Sequence, residues 1–371
     1  MAQSLVSPSC GSHACDCRSF TGDDAWGGVS LTSESGHVLA KVGALLGRAD
    51  SGLRLTGDDW PERLEELLDA LTFSERAALL AAPLQEDGPG VTMAAEVVLT
   101  RARTAWLPRL LEEQALYPYL QPIVSLRDGR TFGHEALIRG TVDGAELSGG
   151  EIVAAAQAHG AMFTLDLVGR TVALEQGMPK LSGNEVLFVN FTPTAIYDPD
   201  VCLRTTWAIA KRHRLPMSRL CFEVVETERF PDLAFLKRIL DEYRRQGAMV
   251  ALDDLGAGHS SLSYLAALRP DFVKLDRELV TGIDGDPARQ RLLRALVDYS
   301  HELEVRVVAE GIETEAELAA VRALGADFAQ GWYLGRPAAE PVAVDLRLVL
   351  DATATPARKA TGRRPRAHAL V

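Results

Sequence analysis

Two adjacent carboxylates, Asp253 and Asp254, close an apolar run that begins at Met249. Side by side at the mouth of a buried strand they repel one another unless a cation or a proton sits between them, because unpaired buried charge is costly. A divalent metal is therefore the first chemistry to expect. The same pattern, a short apolar run ending in a polar residue, recurs along the chain and supplies Glu135, Asn190, Glu223, Lys274, Glu310 and Gln330. The combined set is rich in oxygen and lacks His and Cys, which suits Mg²⁺ or Mn²⁺ better than zinc. Its five carboxylates, gathered at one place, cannot all stay ionised without cations, so one ion is the minimum and two are natural. Two ions beside a lysine suit activation of water and in-line attack on phosphorus, which makes phosphodiester hydrolysis the expected reaction. Singly, the Asp pair could cap the helix beginning near Ser260 and Lys274 could be a surface lysine; the joint pattern is what favours a site.

The elements that must position these residues are strands alternating with helices. Thr131–Leu137, Val186–Asn190, Leu220–Glu226, Ala248–Asp254, Phe272–Asp276, Val305–Glu310 and Asp327–Gln330 read as strands. Between them Glu151–Gln176, Pro199–Arg212, Leu233–Gln246, Arg289–Glu302 and Glu315–Leu324 carry helical periodicity, the last opened by a capping box of Thr314 and Glu317. This alternation predicts an α/β fold with a parallel sheet and crossovers, of a size that suits a (β/α)8 TIM-like barrel. In such a barrel the C-terminal ends of the strands share one rim. No Gly-rich phosphate loop follows the first strand, which argues against an open nucleotide-binding sheet.

The 371 residues, 47% hydrophobic and 24% charged, are enough for a barrel and a smaller domain. A formal net charge of −12 argues against a coat on DNA or on an anionic membrane. No window reaches the ~18 apolar residues of a membrane span, and the first residues lack signal-peptide order, so we expect a cytoplasmic protein. Ahead of the barrel we read a small, mainly helical region with helices at His37–Leu46, Trp60–Leu84 and Thr92–Leu116. The expected divisions are residues 1–50, carrying cysteines; 51–116, a helical region; 117–345, the barrel; and 346–371, a basic tail read as disordered. Cys10, His13, Cys15 and Cys17 are all competent Zn²⁺ ligands, but they fall within eight residues, closer than the usual paired knuckles. A metal or redox site and an incidental cluster both stay open there.

GHEALIRG around Glu135, Gln121-Pro122-Ile123, VNFTP around Asn190, FEVVETE around Glu223, LDDLGAGHSSLSYL, VKLDRELV, and VAEGIETEAEL through AQGWYLGRP form an ordered series. From about Tyr117 to Pro341 this series resembles the EAL-domain family of cyclic-di-GMP phosphodiesterases. The resemblance implies hydrolysis of cyclic-di-GMP to linear 5′-pGpG with Mg²⁺ or Mn²⁺, two ions in all. It implies Glu135, Asn190, Glu223 and Asp253 as ligands of a first metal, with Asp253 and Asp254 reaching a second. It further implies Lys274 orienting the hydrolytic water, Glu310 beside Glu135 in the catalytic set, and Gln121, Arg139 and Gln330 as substrate contacts. Glu226 would support the loop after the Asp pair, and the domain would form a homodimer. That loop departs from the family: Leu255-Gly256-Ala257-Gly258-His259 stands where Phe-Gly-Thr-Gly-Tyr is usual, and Gly140 replaces Trp after Arg139. These departures keep a second reading open, a slow or inactive domain serving as a cyclic-di-GMP receptor or as an interaction module.

Overall fold

The structure, a computed structural model, describes residues 26–47, 52–85, 88–225, 232–256, 261–345 and 349. Two compact units emerge, residues 1–115 with 141–162 and residues 116–140 with 163–371. Cys10, His13, Cys15 and Cys17, Glu226, the loop residues Ala257 to His259 and, apart from Val349, the basic tail lie outside the described residues.

In the first unit β1 (Gly28–Thr32) runs antiparallel between β2 (Arg54–Thr56) and β3 (Leu80–Gln85), and β3 also pairs with β4 (Gly88–Pro89) and β5 (Met93–Ala94). Helices Gly36–Leu45, Trp60–Asp69 and Ala95–Arg103 bury Val42, Leu64 and Val98 in one core with Val29, Leu31 and Leu55 of the sheet. Residues 141–162 contribute β8 (Ala145–Leu147) and the helix Gly149–His159, where His159 Nε2 meets Thr104 Oγ1 at 2.9 Å. The expected small, mainly helical region is present, and its helices pack on a short antiparallel sheet that the periodicity did not show. Trp60–Leu84 divides into helices Trp60–Asp69 and Phe73–Ala78 followed by β3. A capping box of Thr72 and Glu75 starts the short second helix, and Leu79 leaves it in an extended conformation, ψ 124°. Pro83 then lies in β3, where a helix would have lost a hydrogen bond. Thr92–Leu116 divides too, into Ala95–Arg103 and Leu107–Glu112, with Pro108 in the first turn of the second helix.

In the second unit eight strands close a barrel: β6 (Leu116–Ser125), β7 (Thr131–Val142), β9 (Val186–Phe191), β10 (Leu220–Val225), β11 (Met249–Leu255), β12 (Phe272–Leu275), β13 (Arg306–Ala309) and β14 (Phe328–Gln330). The expected barrel is present, with one correction. Pairings from β7 round to β14 are parallel, whereas β6 is antiparallel to both β7 and β14 and shuts the ring. Helices Leu233–Arg245, Pro287–Glu302 and Glu315–Ala323 bury Ile239, Leu240, Val297 and Val321 in one core with the outward strand residues Val189, Val224, Leu252 and Val307. Among the described residues no helix is long and apolar enough to cross a membrane.

Period-two alternation gives each strand an inward pair, among them Phe188 and Asn190, Cys221 and Glu223, Ala251 and Asp253, and Phe272 and Lys274. The first members form an apolar plug with Ile123, Val186 and Val308. Within it the rings of Phe132, Phe188, Phe272 and Phe328 lie 4.4 to 6.2 Å apart. The second members form a polar layer directly above that plug, at the C-terminal rim.

Candidate active site

Lys274 stands at the centre of the polar layer, 1% exposed. Its Nζ lies 2.7 Å from Glu310 Oε1, 3.2 Å from Glu223 Oε1, and 3.3 Å from both Asp253 Oδ1 and Glu135 Oε2. Three strands and the residue just past β13 therefore each aim a carboxylate at one ammonium. Amides hold Glu135 in place: Asn190 Nδ2 donates to its Oε1 at 2.9 Å and Gln330 Nε2 to its Oε2 at 2.7 Å. Gln330 Nε2 also donates to Gln121 Oε1 at 3.0 Å, and Gln121 Nε2 donates to the Gly335 carbonyl at 3.2 Å.

Simple alternation would send Asp253 and Asp254 to opposite faces of β11. The strand avoids this with a bulge. Leu252 pairs with Val273 but Leu255 with Leu275, so three steps on β11 match two on β12. Asp254 takes up the irregularity with φ 57°, a left-handed conformation that Asp tolerates better than most residues. Its N–H donates to Asp253 Oδ1 at 3.0 Å. As a result Asp253, Asp254 and Glu310 offer oxygens within 4.8 Å of one another, and so do Glu135, Glu223 and Asp253. The two groups share Asp253.

One ammonium cannot neutralise so many carboxylates. Burial pushes the carboxyls of Glu223 and Glu310 well above the usual range and raises that of Asp253. Burial and then the charge of Asp253 lift Asp254 to about 7. Glu135 is the exception: burial opposes its ionisation, but Lys274 and the amides of Gln330 and Asn190 prevail and lower its pKa. Burial likewise opposes charge on Lys274, yet Asp253, Glu135, Glu223 and Glu310 hold it well above the ordinary lysine value. Several of these acids must bind a proton or a cation near neutral pH. The donor set is all oxygen around a deficit of positive charge, which fits hard divalent ions.

Of the residues singled out in the sequence, Gln121, Glu135, Asn190, Glu223, Asp253, Asp254, Lys274, Glu310 and Gln330 are brought together. Arg139 is placed differently. It lies four residues past Glu135 on β7, roughly 13 Å along the strand, donates from Nη1 to the Ile138 carbonyl at 2.8 Å, and rests 5.2 Å over the Tyr119 ring. Among the described residues no hydrogen bond or ion pair joins it to the carboxylates.

Two supporting residues escaped the sequence reading. Glu317, seen there only as part of a capping box, accepts from the N–H of Gly282 at 2.8 Å as well as from Glu313 and Thr314, and so ties the segment after β12 to the one after β13. Asp166 accepts from Thr192 N, two residues past Asn190, at 2.7 Å and is paired with buried Arg170. For Asp166 the signal is an Asp and an Arg four apart on a helix, which a solvated face would also give; only burial separates the two.

Comparison with known proteins agrees with this geometry. The profile of the EAL domain matches residues 104–337. The probable cyclic di-GMP phosphodiesterase PdeG of Escherichia coli K12 is 29% identical over 238 residues, 62% of this chain and 46% of that protein. This chain spans about half the length of the curated relatives it matches. Among solved structures, the cyclic-di-GMP-bound form of a standalone EAL protein from Vibrio cholerae O395 is 32% identical with a TM-score of 0.58, covering 63% of this chain and 97% of that one. The manganese and cyclic-di-GMP complex of Klebsiella pneumoniae BlrP1 is 29% identical with a TM-score of 0.57, covering 62% of this chain and 58% of that one. With the profile spanning more than half of its residues and the carboxylates and lysine of the rim assembled, this chain belongs to the EAL domain family.

Proposed function

We propose that the protein hydrolyses cyclic-di-GMP to linear 5′-pGpG with the help of two Mg²⁺ or Mn²⁺ ions. The observation that carries this reading is the pair of carboxylate groups sharing Asp253 around buried Lys274. A phosphodiesterase name among the relatives, and manganese beside the nucleotide in a solved neighbour, support it.

In this reading Glu135, Asn190, Glu223 and Asp253 hold one ion, and Asp253, Asp254 and Glu310 hold the other. Such ions, when bound, supply Lewis acidity and offset charge on the phosphate. The chain's own groups do the rest. Asn190 and Gln330 fix the Glu135 carboxylate before substrate arrives, so little reorganisation is left for the reaction. Lys274, closest to Glu310, is placed to hydrogen-bond the attacking water or a phosphate oxygen. Gln121 and Arg139 contact the nucleotide, Glu226 steadies the loop after the Asp pair, and the domain pairs as a homodimer in solution. Incubating the purified chain with cyclic-di-GMP and Mn²⁺ and separating the products tests the reading. We expect 5′-pGpG, none of it once EDTA is added; binding of the intact cyclic nucleotide without any linear product would instead favour a receptor.

A further inference from the structure

Trp332, on the turn after β14, is 51% exposed, whereas Leu334 two residues on is buried. It is nevertheless held firmly. The turn that carries it begins at Gly331, whose carbonyl accepts from the N–H of Leu334 at 3.1 Å and of Gly335 at 3.0 Å. Ile312 N donates to the Gln330 carbonyl at 3.1 Å and Tyr333 N to the Ile312 carbonyl at 3.0 Å, pinning both sides of the indole to the segment after Glu310. The far end of the turn is tied to the site itself, since Gly335 O accepts from Gln121. One ring face is covered by the Arg336 guanidinium, 4.0 Å from the centroid. A rigid, half-covered indole two residues from Gln330, on a turn bonded to Gln121, is a poor use of apolar surface unless something flat lies on it.

We propose that Trp332 is a stacking shelf for one purine base of the substrate, backed by Arg336. The proposal rests on the reading of the substrate as cyclic-di-GMP, whose bases are planar and must leave the barrel mouth when the phosphate enters it. An indole stacks any base face, and a guanidinium behind it strengthens the stack without reading sequence.

The test compares Trp332→Ala and Trp332→Phe with the wild type. Calorimetric titration with cyclic-di-GMP in Ca²⁺ gives Kd, and turnover in Mn²⁺ gives KM and kcat. Because the side chain is exposed, both variants should melt like the wild type. We expect Trp332→Ala to bind about 5- to 100-fold more weakly, with the loss falling on KM rather than kcat, and Trp332→Phe to recover most of it. An alanine variant whose Kd stays within about twofold of the wild type overturns the proposal. So does one whose Kd is unchanged while light scattering reports a lost dimer, since that would make a second copy the occupant. Wild type that binds without turnover contradicts hydrolysis yet leaves the Kd comparison to decide the shelf; wild type that fails to bind at all overturns both.

Discussion

At the scale of single residues, the carboxylates of the rim are held together against their own repulsion, and pH should report it. Asp254 sits at about 7 in the folded protein, far above the ~3.9 of a free Asp. Between those values the folded state binds a proton that the unfolded chain has released, so this group's contribution to stability is present at low pH and is lost as pH rises through about 7. A divalent ion must displace that proton. We therefore expect the rise in Tm on adding Mn²⁺ to be larger at pH 8 than at pH 6; an equal or smaller rise at pH 8 would mean that Asp254 takes no part in binding. The types of these residues were legible in the sequence because each one ends an apolar run. That Asp253 and Asp254 can serve neighbouring ions was not, because it depends on a bulge and a positive φ that leave no mark in composition.

At the scale of elements, the parallel strands could be read from their apolar runs, while β6 could not. Its sequence LYPYLQPIVS holds Pro118 and Pro122, which ordinarily argue against an internal strand. The structure accommodates them. Leu120 N donates to Ala338 O, so the even-numbered N–H groups face that side, and β14 reaches along β6 only as far as Ile123, opposite Gln330. The missing donors of the prolines thus fall where no strand asks for them. The segment after β14 leaves as little freedom: a Cβ on Gly331 would lie 2.2 Å from the backbone N and O of Ile312. We expect Gly331→Ala to cost about 1–3 kcal/mol of stability and to lower turnover further by displacing Gln330 from Glu135. Urea denaturation checks the first effect and an assay at a temperature where the variant stays folded checks the second; a variant as stable and as active as the wild type would contradict this packing.

At the scale of the whole molecule, the sequence suggested a barrel over residues 117–345, with a tail beyond it. The helix Gly149–His159 does not follow that division, because it packs with the helix Ala95–Arg103 and His159 meets Thr104. Periodicity tells that a segment is helical and which face is apolar, but not which sheet that face covers. We expect a chain starting at Leu116 to melt at lower temperature than the full chain, because Ile152 and Ala156, now buried, would meet water; an unchanged melting curve would contradict the grouping. The central claim concerns the rim, and one measurement reaches it most directly: linear product formed per minute from cyclic-di-GMP in Mn²⁺ by the full chain and by Asp253→Asn. The shared carboxylate serves both proposed ions, so its loss should lower turnover by at least about 100-fold. Undiminished turnover by Asp253→Asn, or no linear product from the wild type, would contradict the account.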